Sequence, residues 1–137
     1  MKKALFALLF TTVVFAAEKP VPSGPLKAFK GPEGEIIAMV EVNQSKEMLV
    51  YFKNIGGELD GKSKVYLFTD NGRQGKEVYF NHKWRKSKTR PWVVLSNEGG
   101  TWTFGNPTNP TQSFKLSFSQ TDTDKLKIDE IIQVLQP

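Results

Sequence analysis

The sequence predicts an all-β domain: a two-layer antiparallel β-sandwich of immunoglobulin-like size or, as the alternative, a small β-barrel. Three observations predict it. From Glu35 onward, short apolar runs alternate with turn residues at intervals of about eight to fifteen. β-branched and aromatic side chains fill these runs, while alanine, the best helix former, is scarce after Ala17. The run Ser113 to Gln120 alternates strictly, with Phe114, Leu116 and Phe118 on the inward face and Lys115, Ser117 and Ser119 on the wet one.

The chain opens with Met1, Lys2 and Lys3, an apolar stretch from Ala4 to Phe10, Thr11-Thr12, and Val13 to Ala17 before Glu18. A positive start, a short apolar run and small residues at its end are the parts of a secretory signal peptide. Residues 1–16 are therefore expected to be removed, with Val14 and Ala16 at minus three and minus one. The competing reading is an uncleaved anchor or a buried N-terminal helix. No Cys is present to carry a lipid or form a disulfide, so the processed chain is expected to be periplasmic or secreted, with no transmembrane span. Residues 17–34, with Pro20, Pro22 and Pro25, read as an extended arm. Residues 35–137 read as a single β domain.

Within that domain, Glu35 to Val42 puts Ile36, Ala38, Val40 and Val42 on one face and Ile37, Met39 and Glu41 on the other. Met48 to Lys53 is apolar on both faces, the mark of a strand covered on each side. A Gly-rich loop, Gly56 to Lys62, follows it. Lys64 to Asp70 and Lys76 to Asn81 form a hairpin through the Asp70-Asn71-Gly72 turn. Pro91 to Ser96 and Thr101 to Phe104 are two further strands. Lys125 to Gln136 is ambiguous: Ile128, Ile131, Ile132 and Leu135 suit a short helix, and Leu126, Ile128, Ile132 and Val134 suit a strand that would close a sheet edge. The strand is preferred.

Most catalytic chemistry lacks its residues. Gly56 to Ser63 satisfies the phosphate-loop pattern, but Val65, Tyr66, Leu67 and Phe68 continue as a strand where that loop requires a helix, so no nucleotide is expected. His82 is the lone histidine and stands among cations, which removes multi-histidine metal sites and disfavours a catalytic triad. Asp122 and Asp124 miss the calcium-loop spacing and read as a solvated turn. No catalytic residue, metal ligand or cofactor is assigned. Asn43-Gln44-Ser45 matches the glycosylation pattern, which matters only in a eukaryotic secretory route.

One segment stands out. His82 to Trp92 carries Lys83, Arg85, Lys86, Lys88 and Arg90 with no acid, flanked by Trp84 and Trp92. Without Lys2 and Lys3 the chain has seventeen basic and fourteen acidic residues, a net charge of +3, and these five cations exceed that total. Basic character is therefore local. The segment is a candidate anion-binding element for an anionic surface, an acidic glycan or an acidic protein. The plainer reading is a solubilising loop with Trp84 and Trp92 as core plugs. Trp84, Trp92 and Trp102, with Phe104 and Tyr79, also allow a carbohydrate-binding module with an aromatic platform. A small hydrolase with an unrecognised site is the third alternative. A non-enzymatic binding module is the function expected.

Overall fold

The computed structural model describes residues 19–70, 76–79 and 92–137. Eight strands follow one another: β1 (Lys27–Lys30), β2 (Ile36–Val42), β3 (Glu47–Lys53), β4 (Ser63–Asp70), β5 (Lys76–Tyr79), β6 (Val93–Glu98), β7 (Thr101–Gly105) and β8 (Ser113–Phe118). Each pairs antiparallel with its neighbour in sequence, and β1 also pairs with β8, so the sheet closes into an eight-stranded barrel. This corrects the sandwich expectation in favour of the barrel. Both architectures need the same alternating strands, and they differ in pairing alone: a sandwich sends strands between two sheets, whereas here every connection leads to the adjacent strand. The closing strand β1 lies inside the Pro-rich arm, where Ala28 faces Ala38 across the ladder and Phe29 faces both Ile37 and Phe118.

The two phases of each strand now have distinct destinations. Ile37 and Met39, Met48, Val50 and Phe52, Tyr66, Val78, Leu95, Phe104 and Leu116 fill the interior. The other phase of β2 and β3, Ala38, Val40, Val42 and Leu49, is buried outside the barrel under a C-terminal helical pair. That is why β3 reads as apolar on both faces. The helices are α1 (Gln120–Lys125) and α2 (Ile128–Gln133). The strand preferred for Lys125 to Gln136 is thus corrected to helix. Ile131, the buried residue of α2, packs with Ile128, Ile132 and Leu135 on the outer cluster, and an edge strand has no role where the barrel leaves no edge. Beyond α2 the chain clamps the start of β4. Ser63 N–H donates to Val134 O (3.1 Å), Gln136 N–H to Ser63 O (2.8 Å), and the buried Ser63 hydroxyl to Ile131 O (2.6 Å).

The outward residues of β6 to β8, Ser96, Thr101, Thr103, Lys115 and Ser117, are polar and at least partly exposed. On these three strands an apolar inner face with a polar outer one is the inverse of the pattern in a membrane-spanning barrel. No helix among the described residues is long and apolar enough to cross a membrane.

The β1–β8 seam is short, with Phe29↔Phe118 and Lys30↔Ser117 as its register. Helix α1 reinforces it. Its N-cap Ser119 accepts from Asp122 N–H (3.2 Å) and donates its hydroxyl to Asp122 Oδ2 (2.5 Å), a reciprocal cap. Ser119 N–H donates to Ala28 O (2.9 Å), and Ala28 N–H donates to Thr123 Oγ1 (2.9 Å). Lys30 Nζ lies 3.5 Å from Asp122 Oδ2. The solvated turn expected at Asp122 and Asp124 is therefore a helix, and Asp122, 8% exposed, is the first-turn partner of its cap. Phe118, expected inward, is 52% exposed because it ends β8 beyond the packed interior, edge-on to Phe29 at 5.7 Å.

Candidate functional site

Antiparallel closure gathers the connections at two ends. One end holds the β1–β2 turn, the loop from Asn54 to Lys62, the β5–β6 connection and the loop from Asn106 to Gln112. The opposite end holds the β2–β3, β4–β5 and β6–β7 connections.

The first end is plugged. Ile55 and Leu59 fold from the Gly-rich loop onto the interior cluster, and Gln112 Nε2–H donates to Ile55 O (3.1 Å). The buried Asn106 donates through Nδ2 to Gln112 Oε1 (2.6 Å) and accepts Thr108 N–H (2.9 Å) on Oδ1, so its polar atoms are satisfied inside the plug. Gly31 passes so close to Phe114 that a Cβ there would meet the ring at 2.6 Å and Glu35 Oε1 at 2.7 Å. Only glycine fits. Lys62 and Ser63 lead into β4 and no helix starts at this pair, as the strand character of Val65 to Phe68 requires.

Lys83, Trp84, Arg85, Lys86, Lys88 and Arg90, together with His82, lie outside the described residues. The strands that carry them are described: β5 ends at Tyr79 and β6 begins at Val93, both at the plugged end. Their register skips Val94 between Val78↔Leu95 and Tyr79↔Val93, an irregularity of the bulge type. Trp92 is half-buried against the interior cluster and donates Nε1–H to Gly105 O (3.1 Å). Trp102 is half-buried at the opposite end, 6.0 Å from Phe29. The structure does not bring Trp92 and Trp102 together, since the length of the barrel separates them, and Phe104 is fully buried.

The opposite end is concave. Met39, Met48 and Trp102 line a depression of about 160 Å³ together with Pro25, Lys27, Glu41, Lys76 and Asn97. Lys27, Glu41, Lys76 and Asn97 each occupy the inward phase of their strand, in step with Phe29, Met39, Val78 and Leu95. The inward phase thus turns polar at one end of four strands. Lys76 Nζ lies 3.5 Å from Glu41 Oε2 and 5.0 Å from the centroid of the Phe68 ring, so this ammonium is held by an ion pair and a ring face. Asn97 Oδ1 accepts from Gly100 N–H (2.9 Å), and its amide NH₂ has no hydrogen-bond partner among the described residues. Sequence reasoning missed this site. Its signal was present in the strand alternation, where Glu41 breaks an apolar series and Lys76 stands two residues before Val78.

Burial raises Tyr66 far above the ordinary tyrosine range, and Tyr51 is raised as well, by burial first and by Asp60 and Glu130 after it. Asp122 is lowered, chiefly by the Ser119 hydroxyl and further by Lys30. None of these three lines the depression. No group of three or more His, Cys, Asp or Glu among the described residues could hold a metal ion. No family model, curated protein or solved structure matches the chain.

Proposed function

We propose that the chain is an exported, non-enzymatic binding module that contacts an anionic partner through the basic segment Lys83 to Arg90. The observation that carries this reading is the concentration of Lys83, Arg85, Lys86, Lys88 and Arg90, with no acid among them, in one inter-strand connection of a barrel whose interior is filled by its own side chains. A filled eight-stranded barrel leaves recognition to its ends and loops. Support for export comes from the leader-like residues 1–16, and support for focused attraction from the local charge. The neighbouring loops carry Glu33, Glu58 and Asp60, all exposed, which would confine a polyanion to the basic connection.

Replacing Lys83, Arg85, Lys86 and Lys88 together by Ser tests the reading. The wild type should elute from a heparin-like column at clearly higher salt than the variant, and it should bind anionic vesicles more tightly. With nucleic acid as the polyanion, five neutralised phosphates predict a log–log salt slope of about −4. Equal elution of the two proteins would reduce the segment to a solvated loop. A variant that instead loses stability would give the cations a structural role in place of a binding one.

A further inference from the structure

We infer that the depression at the open end of the barrel is a binding site for a small amphipathic monocarboxylate, one with a single apolar ring or a branched apolar body of similar size. The site lies at the opposite end of the barrel from Tyr79 and Val93, the strand ends that flank the basic segment.

Size comes first. A volume of about 160 Å³ is close to that of an apolar cavity that takes up one benzene, roughly 150 Å³. The occupant is therefore a single ring or its equivalent. Polarity then orients it. Met39 and Met48, exposed by 4% and 3%, form with Trp102 an apolar lining of thioethers and indole that adapts to flat or branched hydrocarbon. The rim carries Lys27, Lys76, Glu41 and the Asn97 amide. Glu41 is taken by Lys76, which leaves Lys27 as the cation with no ion pair among the described residues and gives the rim a net charge of +1. A ligand with one negative charge balances it. A cationic ligand would face two ammonium groups, and a neutral one would leave the Lys27 charge unanswered. An inorganic anion would satisfy the rim and leave the apolar lining wet.

The chain has three methionines, and two of them, Met39 and Met48, line the site. With ¹³C-methyl methionine and ¹⁵N-indole labels in the processed chain, the Trp92 indole N–H, bonded to Gly105 O at the plugged end, serves as the internal reference. Benzoate and cyclohexanecarboxylate should shift both lining methyls and the Trp102 indole N–H saturably, leaving the Trp92 indole N–H unmoved. Benzyl alcohol, benzylamine and sulfate at equal concentration should shift them several-fold less. Lys27→Gln, an exposed change, should weaken benzoate about fivefold at low salt, the upper range for a partly exposed charge pair, and leave benzyl alcohol unaffected. Met48→Leu keeps the volume and should retain binding. Unmoved Met39 and Met48 methyls under millimolar benzoate would overturn the inference. Equal shifts from benzylamine, or benzoate binding indifferent to Lys27→Gln, would overturn the charge assignment on which it rests.

Discussion

Replacing Thr123 by Val separates the seam from the rest of the barrel, because it removes one hydroxyl and preserves shape, β-branching and volume. That hydroxyl accepts Ala28 N–H at 2.9 Å and donates to Ser119 O at 2.7 Å. Ala28 is fully buried, so its N–H has no water to turn to when Oγ1 is gone. An unsatisfied buried donor costs about 1–3 kcal/mol, and the loss should sit near 2 kcal/mol because one end of the donor's strand remains paired. For a domain of this size that lowers Tm by roughly 4 °C per kcal/mol, or about 8 °C in total, and moves the urea midpoint by about 1 M. Urea unfolding followed by tryptophan fluorescence measures it, with Thr123→Ser as the control that keeps the hydroxyl. The slope of the transition should be unchanged, since the same surface is exposed. If Thr123→Val and Thr123→Ser unfold at the same urea concentration, the hydroxyl does not hold the seam, and the two ladder pairs between β1 and β8 suffice to close the barrel.

Two further outcomes follow from the C-terminal helices. Asp122 is held below its ordinary value of 3.8 in the folded chain, so its contribution is complete above that pH and is lost as the pH falls through the lower folded value; Asp122→Asn should be less stable near neutrality, and its stability curve should converge on that of the wild type in acid, as read by urea midpoints across pH. Ile131→Ala, at a residue 2% exposed in the outer cluster, should cost about 2–4 kcal/mol by thermal or urea unfolding, and a loss under about 1 kcal/mol would mean that α2 is not anchored through this side chain.

The strands were legible because alternation is local. Ile36–Val42, Glu47–Lys53, Ser63–Asp70 and Ser113–Phe118 lie within two residues of the boundaries that periodicity suggests at each end. Closure was not legible. It depends on Ala28 and Phe29, a four-residue strand among prolines, meeting Phe118 some ninety positions later, and nothing local in Lys27–Lys30 announces that partner. The C-terminal helices were misjudged for a related reason: Ile128, Ile131 and Ile132 fit two periods, and the barrel decides between them by offering an apolar outer face on β2 and β3 for a helix to cover. Asp122 looked solvated because its spacing suits no metal. Its role as the partner of an N-cap required seeing that Ser119 stands at a helix start.

The same logic explains where function can reside in this chain. Phe52, Tyr66, Phe104 and Leu95 occupy the barrel axis, so no ligand passes from end to end, and the plug of Ile55, Leu59, Asn106 and Gln112 seals one side. A strand of seven residues spans about 23 Å, nearly three Debye lengths at physiological salt. Tyr79 and Val93, where the basic connection leaves and rejoins the barrel, therefore stand at the far end of the barrel from Lys27 at the open mouth. The macromolecular anion proposed for the basic segment and the small carboxylate inferred for the open mouth are tested by separate experiments, and the failure of either leaves the other standing. The barrel supplies what both need, a rigid frame in which Glu41 and Lys76 meet at 3.5 Å and Trp92 is pinned to Gly105 at the root of the basic connection.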